Sequence, residues 1–528
     1  MNLKTSVRNI KARKSILIPM SIIFLAIIIM GIFEPQNLYN IQNKIVTIAF
    51  NNFGWLFQVT AVMFTCICIW LTMSKYGNIK LGGSDAKPIL SYWNWFTISL
   101  TSGIGTGILF WGIAEPVTHF INPPQIGGTI KSGSEAAAML AMNISFTHWT
   151  FIPYAMYATS GVSIAFAVFN MKLPCRVSSV LYILRNKPVN KFIESMIDNI
   201  CLFAIAGGVA AVLGVGTMQI STGLNLILGT PNTKSTWIIV VFIIVITYII
   251  SSITGLEKGI KWIADKNTKL YIGLLIFIFI FGPTTFIFSL GTQSIGYSLD
   301  HLFSVSTYLS PIDGSKWSRW WPIYYWAIWL AYSPLMGMFF AIISKGRTIR
   351  EFMIMNFIIP SIFGVFWFII FGGASIHQQI SGTGLWQTMQ SVGTEAALFA
   401  FIKNYPFYAI TSLFFIIAIF ISIVTMCDTM TTTISTLSTD TKEADEKNVP
   451  SRIKMFWGIS MAFIAIINLI SSGDTISGID STKQLATVAG FPILFFMLIL
   501  AFCGIKMIIN NPKYDLTNCN EIEDKKLQ

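Results

Sequence analysis

Apolar runs of about 18 or more residues recur along the whole chain, a pattern typical of helices that cross a membrane. Hydrophobic residues occupy 54% of the 528 positions and charged residues only 11%, whereas soluble domains carry about 25% charge. We therefore predict an all-α polytopic membrane protein. Twelve spanning segments are predicted, at 15–33, 46–73, 92–120, 136–169, 193–229, 235–256, 268–292, 320–343, 351–375, 405–437, 453–472 and 484–510.

Lysine and arginine residues divide unevenly between the two sides that these segments define. With the N-terminus inside, 28 of the 35 fall in inside loops and tails. This asymmetry predicts a multi-pass protein with both termini cytoplasmic, and we expect it in the plasma (inner) membrane of a bacterial cell. The same loops explain the net charge of +12, so no nucleic-acid partner is expected. The seven outside residues are Lys44, Lys131, Lys234, Lys316, Arg319, Lys403 and Lys483.

The N-terminal segment, the cysteines and the lack of catalytic motifs argue against several other classes of protein. Residues 15–33 form an apolar run too long for a signal peptide, so we expect an uncleaved first helix. The seven cysteines are scattered, without a CxxC pair or a Cys/His cluster, so neither a disulfide framework nor a metal site is expected. No catalytic cluster, cofactor motif or soluble catalytic domain is recognisable, so we do not expect an enzyme.

Two spanning segments contain helix-breaking residues near their middle. Segment eight, 320–343, has Ser333-Pro334 followed by Gly337, and segment three, 92–120, has three alternate glycines in Gly103–Gly107. Each glycine costs about 1 kcal/mol against alanine inside a helix. Two explanations stay open, namely an unwound backbone that a ligand approaches and close helix packing by small residues. The separation of these segments by five helices favours an inverted pair of five-helix repeats with broken helices at the substrate site.

The predicted organisation follows from this pairing. The repeats are 92–292 and 320–510, preceded by a cytoplasmic tail at 1–14 and by two extra helices within 15–91. Residues 293–319 are predicted to form an interfacial amphipathic helix and an outer loop, and 511–528 a short cytoplasmic tail. A second short interfacial segment is predicted at 394–403, on the outer surface.

Aromatic residues cluster near the middle of segments four and eight. Such rings suit a quaternary ammonium group, which is cationic but has no N–H to donate, and each desolvated ring contributes about 0.5–2 kcal/mol. The alternative is an interfacial belt, which we expect for Trp320 and Trp321 because they adjoin the outer loop. The predicted box consists of Trp149, Tyr154, Tyr157 and Trp329.

These motifs resemble those of the betaine/carnitine/choline transporter family over roughly residues 60–510. The resemblance implies the inverted-repeat fold of sodium-coupled amino-acid transporters (the LeuT-like fold), commonly a homotrimer, and substrates with a trimethylammonium or similar onium group that are moved by alternating access. The matching stretches are Tyr325-Trp326-Ala327-Ile328-Trp329, Ser333-Pro334, residues 343–352, Gly103–Gly107, Phe110-Trp111-Gly112, Glu115-Pro116 and His148-Trp149.

The resemblance also implies roles for individual residues. Trp149, Tyr154, Tyr157 and Trp329 match the family's onium box, and Tyr332 is added as a substrate-binding candidate. Backbone amides of Gly103, Ile104 and Gly105 would face a substrate carboxylate. Choline-type members often carry Asp at the position of Gly107, and its absence favours a carboxylated substrate such as glycine betaine or carnitine over choline.

The coupling ion is a separate question. Sodium-coupled members supply hydroxyl ligands from segments five and ten, but residues 208–213 have no hydroxyl and Met426 stands where Ser is expected, although Thr425 remains. Met336 resembles a methionine of the sodium-independent exchangers. We therefore expect sodium-independent transport, by exchange or proton coupling. The alternatives are a sodium-coupled betaine symporter, a choline uptake carrier and, from another class, an onium-gated channel.

Glu115, His148 and Asp428 are ionisable residues that lie within the predicted spans. Glu115 and Asp428 are candidates for a coupling or ion site, because ionisable groups inside a membrane are usually functional. A structural hydrogen bond is the alternative for both. For His148 we expect a structural role rather than proton transfer.

Overall fold

A computed structural model describes residues 11–254, 259–312, 314–440, 449–471 and 478–517, except for the side chains of 104, 471 and 478–483. Ten helices are long and apolar enough to cross a membrane, and the count reaches twelve when each of two bent helix pairs is one span. Within the described residues the only β-type pairings are two isolated bridges. The prediction of an all-α membrane protein is therefore confirmed, with ten to twelve candidate spans.

The first half of the chain begins with a long pair of helices that is joined at Glu34. The second of these, α2, has 39 residues and starts eleven residues before the predicted segment. The elements are α1 Lys14–Phe33, α2 Pro35–Met73, α3 Tyr92–Ile104, α4 Gly107–Ile121, α5 Glu135–Trp149, α6 Phe151–Ala165, α7 Lys191–Leu228, α8 Lys234–Thr254, α9 Ile260–Phe281 and α10 Thr284–Asp300, with short turns at Lys75–Asn78, Phe166–Asn170 and Val177–Leu184.

The second half contains longer spans that are interrupted by π-helical turns. Its elements are α11 Leu302–Ser306, α12 Tyr324–Ile343, α13 Ile349–Met353, α14 Ile359–Trp367, α15 Gly373–Ile380, α16 Leu385–Ser391, α17 Ala397–Ile402, α18 Tyr408–Leu437, α19 Ser451–Ser471, α20 Gly478–Ile509 and α21 Asn511–Tyr514, with short turns at Arg319–Ile323, Ile354–Ile358, Phe368–Gly372 and Thr394–Ala396.

Segment three is broken where its glycines predict a break. Helix α3 ends before Gly105, α4 begins at Gly107, and the two helices are bent by 56°. Gly105 has φ 57° and ψ −141°, a conformation that side chains with a Cβ rarely adopt. The backbone therefore unwinds here, and glycine is the residue that permits it.

Segment eight is continuous, so the prediction of a second broken helix is wrong. Both Ser333 and Pro334 lie inside α12. The Ser333 hydroxyl donates to the Trp329 carbonyl at 2.7 Å, so this side chain is satisfied within its own helix. A Cβ on Gly337 would lie 2.7 Å from the backbone nitrogen of Gly161, so this glycine serves close packing of α12 on α6.

The predicted interfacial segments also differ from the structure. Segment seven ends early: α9 stops at Phe281, and α10 turns away by 112° after Gly282-Pro283, because proline cannot continue a helix. This helix therefore starts at Thr284, nine residues before the predicted segment 293–319. Helix α17 does not lie on the outer surface as predicted; its side chains are buried, and the Phe399 ring packs on Gly223.

Helix packing is repeated between the two halves. Helix α3 packs on α9 as α12 packs on α20, α7 packs on α20 as α18 packs on α9, and α7 packs on α19 as α18 packs on α8. The pair α7 and α18 meets at the centre. Since each half has five spans, an odd number, the halves have opposite orientations, as in inverted-repeat transporters.

A buried arginine joins the N-terminal segment to this central pair. Arg13 is 5% exposed, and its guanidinium donates to the carboxylates of Asp198 and Glu194, each at 2.8 Å. It also donates to the Leu437 carbonyl at 2.9 Å. The start of α7 and the end of α18 are thus held together by one side chain.

We predict that Arg13→Ala destabilises the protein by about 3 kcal/mol, because it leaves the Asp198 carboxylate buried and unpaired. The unfolding temperature in detergent measures this. Lys14→Ala is the matched control, since Lys14 is adjacent and exposed and its removal should leave the unfolding temperature unchanged. Equal unfolding temperatures of the Arg13→Ala and Lys14→Ala proteins would contradict the assigned role of Arg13.

Candidate functional site

A cavity of about 530 Å³ lies where the broken segment three meets α5, α6, α7, α12 and α18. Half of its lining residues are aromatic, and none of the described ones is Asp, Glu, Lys or Arg. Such a wall has ring faces but no formal charge. The aromatic members are Tyr39, Trp111, Trp149, Tyr157, Trp320, Trp321, Tyr324, Tyr325, Trp329 and Tyr332.

Three of the four predicted box residues form one side of this cavity. The rings of Trp149 and Trp329 have centroids 5.5 Å apart at 82°, and those of Tyr157 and Trp329 are 5.4 Å apart at 63°. All three side chains are at most 7% exposed. This edge-to-face packing fixes the rings relative to one another and presents several π-surfaces at one corner.

The fourth predicted member, Tyr154, does not line the cavity. Its fully buried ring packs behind Tyr157, at 6.4 Å, and lies against Gly103. The reason is the helix: positions three apart on α6 differ by about 60° in direction, so only one of the two rings faces the cavity. Tyr325 lines the cavity where Tyr154 was expected, and its ring lies 5.4 Å from that of Trp149.

The broken helix supplies a backbone wall. Gly103, Thr106 and Gly107 line the cavity, so the start of α4 faces it. Free N–H groups at a helix start favour anionic groups. Gly105 does not line the cavity, but its carbonyl accepts a hydrogen bond from the Tyr271 hydroxyl at 3.0 Å. The side chain of Ile104 lies outside the described residues.

Gly107 is required for the position of Trp149. A Cβ at Gly107 would lie 2.4 Å from two carbon atoms of the Trp149 indole, so the ring rests directly on the backbone. The sequence singled out Gly107 as one of three alternate glycines and through the family resemblance. The structure gives it a steric role in the box.

The carboxylate of Glu115 sits behind the cavity wall and orients two of its rings. One oxygen, Oε2, accepts from the Trp149 Nε1 at 2.7 Å and from the Tyr325 hydroxyl at 2.8 Å. The other, Oε1, lies 2.5 Å from Nδ1 of His148. These contacts favour the structural alternative for Glu115 and His148, since neither residue lines the cavity.

The coupling candidates occupy different places. Met426 lines the cavity, and its sulfur lies beside Gly105. Met336 is buried away from the cavity, and the Thr425 hydroxyl donates to the Ile421 carbonyl of its own helix. Asp428 accepts a hydrogen bond from the Ser251 hydroxyl and does not line the cavity either.

Tyr332 does line the cavity, as predicted. Its ring packs on Gly208, where a Cβ would lie 2.4 Å from the ring. Its hydroxyl is buried without a hydrogen-bond partner among the described residues.

Sequence reasoning missed part of the aromatic wall. Trp320 and Trp321, expected in an interfacial belt, line the cavity, and the Trp321 ring lies 5.9 Å from that of Trp111. The available signal was the spacing: Trp321, Tyr325 and Trp329 recur every four residues and therefore share one face of a helix.

A bundle of this kind defines a class of protein. Two inverted halves that enclose a central, uncharged aromatic cavity beside an unwound helix are the architecture of a secondary transporter. The chain belongs to the betaine/carnitine/choline transporter family, whose model matches residues 15–513. This confirms the resemblance seen in the sequence, and the protein is a multi-pass membrane transporter and not an enzyme.

Curated relatives cover nearly the whole chain. A probable glycine betaine transporter of Desulfitobacterium hafniense is 32% identical over 94% of this chain and 98% of its own length. The glycine betaine transporter OpuD of Bacillus subtilis is 32% identical over 90% of each chain. An osmo-independent choline transporter, BetT1 of Acinetobacter baylyi, is 32% identical over 85% of this chain and 84% of its own.

We predict that Gly107→Ala lowers stability by about 1–3 kcal/mol, because the new methyl group overlaps the Trp149 ring. Gly273→Ala is the matched control: it is also a helical glycine, but nothing lies within 4 Å of its Cβ position. Alanine there should hold or raise the unfolding temperature in detergent. If Gly107→Ala were as stable as wild type, the position of the Trp149 indole would not require glycine at residue 107.

Proposed function

We propose that the protein transports a trimethylammonium compound that also carries a carboxylate, such as glycine betaine or carnitine, by alternating access. The observation that carries this proposal is the cavity itself, which is lined by ten aromatic residues and by no described charged one. The cation would lie against Trp149, Tyr157 and Trp329, and Tyr325 would complete the box in place of Tyr154.

The chemistry of the cation fits this wall. A trimethylammonium group has no N–H, so it gains little from a hydrogen-bonding acceptor, whereas ring faces attract its charge and also contact its methyl groups. Each desolvated ring contributes about 0.5–2 kcal/mol. Edge-to-face packing, with ring centroids 5.4–5.5 Å apart, would preorganise the rings for substrate binding.

The carboxylate would bind at the broken helix. Gly103 and Gly107 line the same cavity as the rings, and α4 starts there with its N–H groups unpaired by the helix. Ile104 and Gly105 lie between these glycines and remain candidates through their backbone amides. A substrate with both charges would therefore use both walls.

Choline is the second candidate substrate. One relative, BetT1, is named as a choline transporter and is as identical to this chain as the glycine betaine transporters are. Choline has no carboxylate. The absence of a carboxylate side chain from the described lining, with glycine at position 107, favours the zwitterionic substrate instead.

We also propose that transport does not use sodium. Residues 208–213 of α7 offer no hydroxyl, and Met426 places a sulfur beside Gly105, where a cation would need oxygen ligands. Substrate exchange or proton coupling would then drive transport, with Glu115 and Asp428 as candidate proton carriers and Met336 and Thr425 as further coupling candidates. Sodium symport and an onium-gated channel are the alternatives.

The location and assembly belong to the same proposal. The distribution of lysine and arginine supports cytoplasmic termini, and the bacterial relatives support a bacterial plasma membrane. The helix packing supports repeats close to 92–292 and 320–510. The family resemblance supports a homotrimer in the lipid bilayer.

The first test measures glycine betaine binding to the purified protein. Trp329→Ala should weaken binding about tenfold, because one ring contributes up to about 2 kcal/mol. Trp329→Phe should retain most of the affinity. Trp262→Ala is the control, since Trp262 is 63% exposed and is not part of the cavity lining. Unchanged affinity in Trp329→Ala would place the cation elsewhere.

The second test measures labelled glycine betaine uptake into proteoliposomes. Uptake should be the same with and without a sodium gradient, and should rise with unlabelled substrate inside or with an imposed proton gradient. Uptake that follows sodium would overturn the coupling proposal but not the substrate proposal. Flux that does not saturate with substrate would indicate a channel.

A further inference from the structure

We propose that Glu115, His119 and His148 form a binding site for a transition-metal cation, with Zn²⁺ as the preferred ion. One ligand atom from each residue lies within 4.8 Å of the other two. Glu115 and His119 are one turn apart on α4, and His148 is in the last turn of α5. The three side chains come from two spans and are buried to 1% exposure or less.

His119 provides the observation that points to a ligand. Both of its ring nitrogens are buried, and neither has a hydrogen-bond partner among the described residues. A buried polar group without a partner is costly. The structure offers no described donor or acceptor that explains this imidazole, but its Nε2 faces the Glu115 carboxylate.

The distance between His119 and Glu115 fits two ligands of one metal ion better than a direct hydrogen bond. The His119 Nε2 lies 3.8 Å from the Glu115 Oε1, which is too long for a hydrogen bond. Zinc binds nitrogen and oxygen at about 2.0–2.2 Å, so two tetrahedral ligands are separated by roughly 3.3 Å. The His148 contact with Glu115, at 2.5 Å, would have to widen by a side-chain rotation.

The donor set selects the kind of ion. Two imidazoles and one carboxylate suit Zn²⁺ and neighbouring transition ions, whereas Mg²⁺ and Ca²⁺ prefer oxygen ligands. Three protein ligands leave one position of a tetrahedron open. Sequence spacing predicted no metal site, because 29 residues separate His119 from His148 and only the packing of α4 on α5 brings them together.

An ion reaches this site from the cavity side. The His119 ring lies 4.3 Å from the ring of Trp321, which lines the cavity. Movement of that one indole would open a path between cavity and cluster. The site is therefore separated from the cavity by a single layer of side chains.

Metal binding would be linked to substrate binding, and this part rests on the proposed function. The metal would take Oε1 of Glu115, while Oε2 holds Trp149 and Tyr325. A divalent ion exceeds the charge of one carboxylate, so a net positive charge would stand behind the onium box. Because coupling between two sites is reciprocal, Zn²⁺ should weaken onium binding and the onium should weaken Zn²⁺ binding.

The direct test uses Co²⁺ and Zn²⁺ with the purified full-length protein and no substrate. Co²⁺ should give visible absorption bands of a four-coordinate nitrogen and oxygen site, and Zn²⁺ should displace it at one ion per chain. His119→Ala and, separately, His148→Ala should abolish these bands. His301→Ala and His377→Ala are the matched controls, because these are the other two of the four histidines and lie outside the cluster.

Two results would overturn the metal site. The first is a spectrum without four-coordinate bands in a protein that is monodisperse on gel filtration. The second is a spectrum that persists in both cluster variants, or that shows thiolate charge-transfer bands and so reports a cysteine. Since these measurements need no substrate, they stand even if glycine betaine is not transported.

The coupling test measures glycine betaine affinity with and without saturating Zn²⁺. Wild type should lose at least tenfold in affinity, and His119→Ala should bind the same in both conditions. Zinc binding with unchanged onium affinity would overturn the coupling alone. Absence of glycine betaine binding without zinc, in wild type, would instead contradict the proposed function.

Discussion

The hydrogen bonds of one buried carboxylate hold the aromatic cavity in shape. Glu115 accepts from both Trp149 and Tyr325, and these two rings come from different halves of the bundle. An unpaired carboxylate in this place would be far too costly, so the rings that satisfy it are fixed as well. The cavity therefore keeps its negative charge behind its wall and presents only ring faces to its interior.

Segment three is unwound at Gly105, whereas α12 is continuous through Pro334. A freed backbone group inside a membrane must find a partner, and the Tyr271 hydroxyl provides one for the Gly105 carbonyl. Helix α12 continues through Pro334, and the Ser333 hydroxyl donates to the Trp329 carbonyl within it. Of these two segments, only segment three has a residue with positive φ, which is Gly105.

These features together suit a transporter that binds a zwitterion between a rigid aromatic corner and a helix start. The rings lie on α5, α6 and α12, and the backbone wall lies on the broken segment three. Both halves of the chain thus contribute to one cavity. Because the rings belong to both halves, relative motion of the halves would change the box as well as access to the cavity.

Much of this protein follows from its sequence. Apolar length fixes the spans, since about 20 residues are needed to cross hydrocarbon, and the glycines of segment three mark the unwound helix. Local pattern could not separate Tyr154 from Tyr325, because facing the cavity depends on how α6 and α12 are rotated against each other. Nor could it join His119 to His148 and Glu115, or show that Pro334 leaves α12 unbroken. Those outcomes depend on contacts between residues distant in the chain, which packing alone brings together.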